Sequence, residues 1–231
     1  MVKMRSKQES DISVIIRTRN EERWIGHCIQ SILDFINKPE IIIIDNNSKD
    51  STIEIINHFI QDPYLNGGNK NYTDIKINKI ENYTPGKSLN LGVKKAKKKF
   101  ILIISAHCSL RKFDEKKLKK IIKSNLGIFG NQIPIWYGKK INKRYLWSNF
   151  KNKSEKNMFS NQENRYFFHN ALSFFKRDTL LKNPFNEILA GKEDRYWANN
   201  IVRKKMSFYY STDFEVEHYY TDNGNTWKGL G

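Results

Sequence analysis

Phe100-Ile101-Leu102-Ile103-Ile104-Ser105-Ala106-His107-Cys108-Ser109-Leu110 is the stretch around which the rest of the chain is organised. Its apolar, β-branched-rich run stops abruptly at Ser105, so it reads as a buried strand delivering small polar and ligand-type side chains to its carboxyl end. Two further runs end the same way: 12–16 leads into Arg17-Thr18-Arg19-Asn20, and 41–44 leads into Asp45-Asn46-Asn47-Ser48. In open α/β sheets ligands bind at the carboxyl ends of the strands. These strands therefore aim polar ends at one crevice.

Working outward, strand and helix alternate. After a polar leader, 12–16 is the first strand. Glu21 and Glu22 suit the positive end of a helix capped by Asn20, with Trp24, Cys28 and Ile32 as its buried stripe. Residues 40–45 form a second strand, and Ser51-Thr52-Ile53-Glu54 has capping-box form for a helix through Ile60. Residues 62–72, with Pro63, Gly67 and Gly68, read as loop, and Ile75, Ile77 and Ile80 alternate toward a third strand. Tyr83-Thr84-Pro85-Gly86-Lys87-Ser88-Leu89-Asn90-Leu91-Gly92 turns into a helix running to Lys98, whose amino end is a ready anion site beside Lys87. A basic helix at 114–125 follows the opening stretch. This order predicts parallel pairing through right-handed crossovers.

From Gly127 the character changes. Residues 127–134 read as a strand leaving the first half, and 138–159 as a long loop of the kind that carries function. Residues 172–175 and 208–210 read as strands, and a helix starts near Gly191-Lys192-Glu193-Asp194 and runs through Trp197 and Ile201. The tail is Val216-Glu217-His218-Tyr219-Tyr220.

Composition sets the class. With 231 residues, 39% hydrophobic and 13% aromatic, the chain can bury a full core as one α/β domain with an appended lobe. Its apolar runs fall far short of the roughly 20 residues a membrane span needs, and its first residues lead into no secretory core, so a cytoplasmic protein is expected. Cys28 and Cys108 give no disulfide framework and read as buried small residues. The net charge of +17 invites a nucleic-acid partner. Much of the excess, however, lies at 94–99 and 116–123, where the lysines fall opposite Leu118, Ile121 and Ile122; a solvated helix face accounts for them. An anionic membrane surface or an anionic polymer is the alternative.

Chemistry gathers first at Thr18-Arg19-Asn20-Glu21, Asp45 and the Lys87 turn. A carboxylate at a strand end accepts from a nucleobase or ribose hydroxyl, while a helix amino end and a lysine hold phosphate. Together they suggest a nucleotide, although Asn20, Asp45 and Ser51 are also ordinary capping residues. The chain has neither a complete phosphate-loop motif nor a Gly-x-Gly-x-x-Gly fingerprint.

The spacing of Ser13-Val14-Ile15-Ile16-Arg17-Thr18-Arg19-Asn20-Glu21, Ile43-Ile44-Asp45-Asn46-Asn47-Ser48-Lys49-Asp50-Ser51-Thr52, Gly86-Lys87-Ser88-Leu89-Asn90-Leu91-Gly92 and Glu193-Asp194 is similar to that of the family 2 glycosyltransferases of GT-A fold. The resemblance spans nearly the whole chain. It implies a Rossmann-like, mostly parallel central sheet flanked by helices over residues 1–231. Residues 10–126 would form the nucleotide-sugar-binding half, and 127–231 a smaller half for the acceptor and the catalytic base. The implied reaction is inverting transfer of a sugar from a UDP-, GDP-, dTDP- or CMP-linked donor to a hydroxyl of a glycan or glycolipid. Asp45 would hold the base, Thr18, Asn20 and Glu21 would line the nucleoside pocket, and Lys87 and Ser105 would lie near the donor.

Where the family carries Asp-x-Asp for a divalent cation, this register gives Ser105-Ala106-His107. His107 is then a candidate ligand for manganese or magnesium, and His218, where the family often has a histidine after its last core strand, is a second. A site without metal, neutralised by Lys87 and other cations, is the alternative. Glu193-Asp194 matches the acidic pair at the acceptor-side helix; Asp194 would be the base and Glu193 its neighbour. His169-Asn170-Ala171 and Asn131-Gln132 could reach donor or acceptor hydroxyls, and Trp136, Tyr137, Arg144, Tyr145 and Trp147 would suit a sugar-lined groove. Two readings from other classes stand beside the enzyme: a non-catalytic nucleotide- or glycan-binding relative, and a basic nucleic-acid-binding protein.

Overall fold

The structure, a computed structural model, describes residues 9–62, 73–143, 145–224 and 226–227. The leader, most of the loop expected at 62–72, and Arg144 lie outside the described residues. In chain order the first half runs β1 (Ile12–Thr18), α1 (Ile25–Phe35), β2 (Glu40–Asp45), α2 (Thr52–Gln61), β3 (Ile75–Lys79), α3 (Pro85–Lys95) and β4 (Phe100–Ser105). These strands pair in the order β3-β2-β1-β4, all parallel. Helices pack on both faces, which is why the strands are apolar without alternation. Ile12, Val14 and Ile16 enter one core, and Ile15 enters the other.

The opening stretch is two strands rather than one. β4 ends at Ser105, where Ser105 N–H donates to the Ala171 carbonyl, and after a turn at Ala106 and His107 the chain departs as β5 (Cys108–Lys112). β5 lies at the far edge of the sheet, yet it packs over α1, with Leu110 N–H donating to Ser31 Oγ at 2.9 Å. The sheet therefore curls round the α1 core.

The second half begins with α4 (Glu115–Ile121), capped by Asp114, and β6 (Gly127–Trp136). The long segment expected as loop, 138–159, holds the two-residue strands β7 (Lys139–Lys140) and β8 (Glu155–Lys156) and a 3-10 turn at Tyr145–Asn149, and β9 (Phe159–Ser160) and β10 (Arg165–Tyr166) follow at its end. There Trp147, Phe150 and Met158 are buried, so much of it is core rather than a free loop. β11 (Leu172–Lys176), α5 (Arg177–Lys182), α6 (Glu193–Arg203) and β12 (Phe208–Tyr219) complete the fold. β11 runs antiparallel between β4 and β6, and β12 pairs parallel to β6 and antiparallel to β5. Residues 208–210 and the tail around His218 thus belong to one strand. Phe129 on β6 anchors the second core, touching Phe150, Phe167, Phe168, Phe208 and Tyr210.

Two expected caps are replaced. Asn20 has φ 53°, a left-handed conformation asparagine tolerates, and accepts from Lys49 N–H instead of capping α1. At α2 the capping carboxylate is Asp50, which accepts from both Thr52 N–H and the Thr52 hydroxyl; the Ser51 hydroxyl makes no capping bond. Cys28 and Cys108 are free and buried, as expected.

Candidate active site

The carboxyl ends of β1 and β4 and the amino end of α6 enclose a cleft of about 550 Å³. Thr18, Asn20, Glu21, Ser105 and His107 line one side, and His169, Asn170, Glu193 and Asp194 line the other. The parallel half supplies the first wall because its strands all end at this edge. The second wall is present because β11 and α6 return to the same edge.

The acidic pair is buried, each residue 5% exposed, but the two carboxylates are held differently. Asp194 accepts through Oδ2 from Asn170 N–H at 3.0 Å and through Oδ1 from Arg195 N–H at 2.8 Å, and Arg195 Nη1 reaches both oxygens at 3.0 and 3.1 Å. Glu193 has looser partners: Arg17 Nη1 at 3.3 Å and Asn170 Nδ2 at 3.5 Å, both on Oε1. Burial pushes the Glu193 carboxyl above the usual range, opposed by the Arg17 charge. Sequence reasoning did not single out Arg17 or Arg195. The available signal for Arg17 was a cation closing a buried apolar strand.

Two expected site residues, Asp45 and Lys87, lie outside the cleft lining, and two more, Glu21 and His218, have partners that the sequence did not indicate. Asp45 is 1% exposed and does not line the cleft; its carboxylate accepts from the Ser48 hydroxyl at 2.6 Å and from Ser48 N–H. Lys87 is also outside the lining, its ammonium donating to the Glu81 and Asn82 carbonyls at 3.0 and 3.4 Å, so it fastens its own turn. Glu21 lines the cleft, but its Oε1 lies 3.0 Å from His107 Nδ1, and its backbone N–H donates to Thr52 Oγ1. His218 lies behind His107 rather than in the lining, with the two rings 4.9 Å apart and Trp147 and Trp227 edge-on to it.

A carboxylate only accepts, so His107 Nδ1 donates to Glu21 and Nε2 is the nitrogen that ligation would use. His218 Nε2 is buried without a hydrogen-bond partner. An orphaned imidazole nitrogen beside a second imidazole fits a cation ligand set better than a structural pair, which would satisfy its polar atoms. Burial, then the neighbouring His107 and His169, holds His218 well below the usual histidine range, so it is neutral, as ligation requires. No cluster of three or more His, Cys, Asp or Glu suited to a metal occurs among the described residues. The aromatic groove divides: Trp147 is buried, while Trp136, Tyr137 and Tyr145 are exposed.

Comparison with known proteins gives the same frame. The family described as glycosyl transferase family 2 matches residues 13–182. The chain is 25% identical to the poly(ribitol-phosphate) beta-N-acetylglucosaminyltransferase TarS of Staphylococcus aureus, over 89% of this chain and 36% of that protein. It is 32% identical, over 42% of its length, to 29% of a dolichyl N-acetyl-alpha-D-glucosaminyl phosphate 3-beta-D-2,3-diacetamido-2,3-dideoxy-beta-D-glucuronosyltransferase of Methanococcus voltae. The chain thus spans about a third of the length of these curated relatives. Among solved structures, TarS 1–349 in complex with UDP-GlcNAc superposes with a TM-score of 0.63 at 18% identity, covering 92% of this chain and 59% of that one. The mannosyltransferase PcManGT from Pyrobaculum calidifontis, in complex with GDP-Man and Mn2+, gives 0.65 at 16% identity, covering 96% and 61%. These likenesses show the GT-A fold. With the family match covering most of the chain, this chain belongs to glycosyl transferase family 2.

Proposed function

We propose that this protein is an inverting glycosyltransferase that moves a sugar from a nucleotide-sugar donor to an acceptor hydroxyl. The observation that carries the reading is the buried Glu193-Asp194 pair at the amino end of α6, sharing one cleft with Thr18, Ser105 and His107. The donor class is a UDP-, GDP-, dTDP- or CMP-linked sugar, which the UDP-GlcNAc and GDP-Man complexes of structural neighbours support. The acceptor class is a glycan or glycolipid, reached from the cytoplasm, with the basic surface available to an anionic membrane face.

In the reaction, the acceptor oxygen attacks the anomeric carbon opposite the leaving phosphate. The new C–O bond forms as the old one breaks, and its electron pair leaves on the phosphate oxygen. The acceptor proton passes to the carboxylate of Asp194, oriented by Asn170 N–H and Arg195. A positioned base contributes roughly 100- to 10,000-fold. Thr18, Asn20 and Ser105 border the donor, and Asp45 with Ser48 sets the loop behind it. His169 and Asn170 shape the wall beside the acid pair. A divalent cation held by His107 and His218 would neutralise charge on the leaving phosphate, and imidazole suits manganese better than magnesium.

One observation favours Glu193 as the base instead. Both Asp194 oxygens accept two bonds each, whereas Glu193 is loosely held and its affinity for a proton is raised by burial. A panel of nucleotide sugars with Mn2+ and glycan acceptors, run on wild type, Asp194→Asn and Glu193→Gln, tests both. The expected result is a loss of roughly 100- to 10,000-fold for Asp194→Asn and a smaller one for Glu193→Gln; the reverse order moves the base to Glu193. Turnover untouched by either change sinks the acid pair. Donor binding without turnover of any donor turns the reading to a non-catalytic relative. Full activity of His107→Ala in excess chelator removes the cation.

A further inference from the structure

We infer that Gln132 and His169 are positioning residues that fix the tautomer of His218, so that its Nε2 presents a lone pair to the cation. The inference rests on the proposed cation site at His107 and His218, and it gives a role to Gln132, which the chemistry above leaves unused, and a second one to His169. Gln132 on β6 is 0% exposed, and its register partner on β12 is Val216, two residues before His218. Successive side chains of a strand alternate faces, so Gln132 and His218 project from the same face of adjacent strands.

The direction of the hydrogen-bond chain follows from one group that cannot be reversed. Ala171 N–H donates to His169 Nδ1 at 3.2 Å, and a backbone N–H has no acceptor form. His169 Nδ1 is therefore the unprotonated nitrogen of that ring. The Gln132 amide nitrogen, 2.8 Å away, is then a second donor to it, because the reversed amide would set an oxygen lone pair against a nitrogen lone pair. With its nitrogen committed to His169, Gln132 offers its oxygen to His218 Nδ1 at 2.8 Å. An oxygen only accepts, so His218 Nδ1 carries the proton. Its Nε2 is left bare, and this is the buried atom without a partner.

The two ligands are thus backed differently. His107 is backed by the carboxylate of Glu21, and His218 by a neutral amide whose own orientation is set by a second histidine and a main-chain amide. An amide fixes the proton without drawing His218 toward the imidazolium form that would exclude a cation.

The test combines ring 15N NMR with Mn2+ titration on wild type, Gln132→Met and Gln132→Glu. Wild-type His218 is expected in the Nδ1–H form. Gln132→Met keeps the bulk and removes both bonds, so His218 should populate the Nε2–H form and Mn2+ affinity should fall by about 10- to 100-fold. Gln132→Glu, when protonated, donates to His169 and accepts from His218, so tautomer and affinity should stay near wild type. A wild-type His218 proton on Nε2, or a folded Gln132→Met with unchanged Mn2+ affinity, overturns the inference. Wild type that binds no Mn2+ overturns the cation site and the purpose given to the relay, and the tautomer spectrum then decides separately whether the relay exists. Because that spectrum is read on wild type, it stands even if Gln132→Met fails to fold.

Discussion

Arg17 and Glu193 meet at 3.3 Å across a sequence separation of 176 residues, and the Arg17 charge opposes the effect of burial on the glutamate. Burial raises Glu193 above the usual carboxylate range, so the native state holds its proton more tightly than the unfolded chain does. Stability from this group is therefore greatest below the ordinary glutamate range and falls as pH rises through the raised value. Glu193→Gln should flatten that part of a urea-midpoint profile against pH. Arg17→Met, which removes the opposing charge, should push the glutamate further up and carry the fall to higher pH. A profile identical in all three proteins would remove Glu193 as its source. At this scale the sequence was partly legible. Glu193, Asp194 and His107, expected from their place in a spaced pattern, line one cleft, whereas Arg17 and Arg195 act through partners that only the fold brings near.

Among the elements, α3 depends most on its neighbours. Its cap, Thr84, accepts from Lys87 N–H and also donates to the Glu187 carbonyl at 2.7 Å, tying the helix start to the segment before α6. Two residues on, a Cβ at Gly86 would stand 2.1 Å from the Asn186 carbonyl oxygen. Backbone cannot yield as a side chain can, so Gly86→Ala should cost about 1–3 kcal/mol in urea unfolding. Thr84→Val should cost about 1 kcal/mol through the lost cap. A neutral Gly86→Ala would mean that 186–187 moves freely. Strands and helices of the first half were readable because the runs at 12–16, 40–45 and 100–105 are buried on both faces. The break at Ala106 was not, since 100–110 holds no glycine or proline to mark a turn and β11, which bonds to β4, lies far along the chain.

For the molecule as a whole, the charge of +17 governs unspecific contact more than the fold does. Part of it is already answered locally: Lys117 pairs with Asp213, and Lys119 with Glu115 and Asp11. Binding to duplex DNA or to anionic vesicles should therefore weaken steeply as salt rises, while nucleotide-sugar binding in the cleft changes little; equal salt slopes for both would put the donor on the open surface. The curled sheet also has a consequence during synthesis. When a ribosome has completed β4, that strand is apolar on both faces, and the bonding edge later taken by β11 is bare. An edge of that kind recruits strands from other chains. The interval before Leu172–Lys176 emerges is thus the moment of greatest aggregation hazard, and also one in which neither Glu193-Asp194 nor His218 yet exists, so an interrupted chain is sticky and lacks one wall of its cleft.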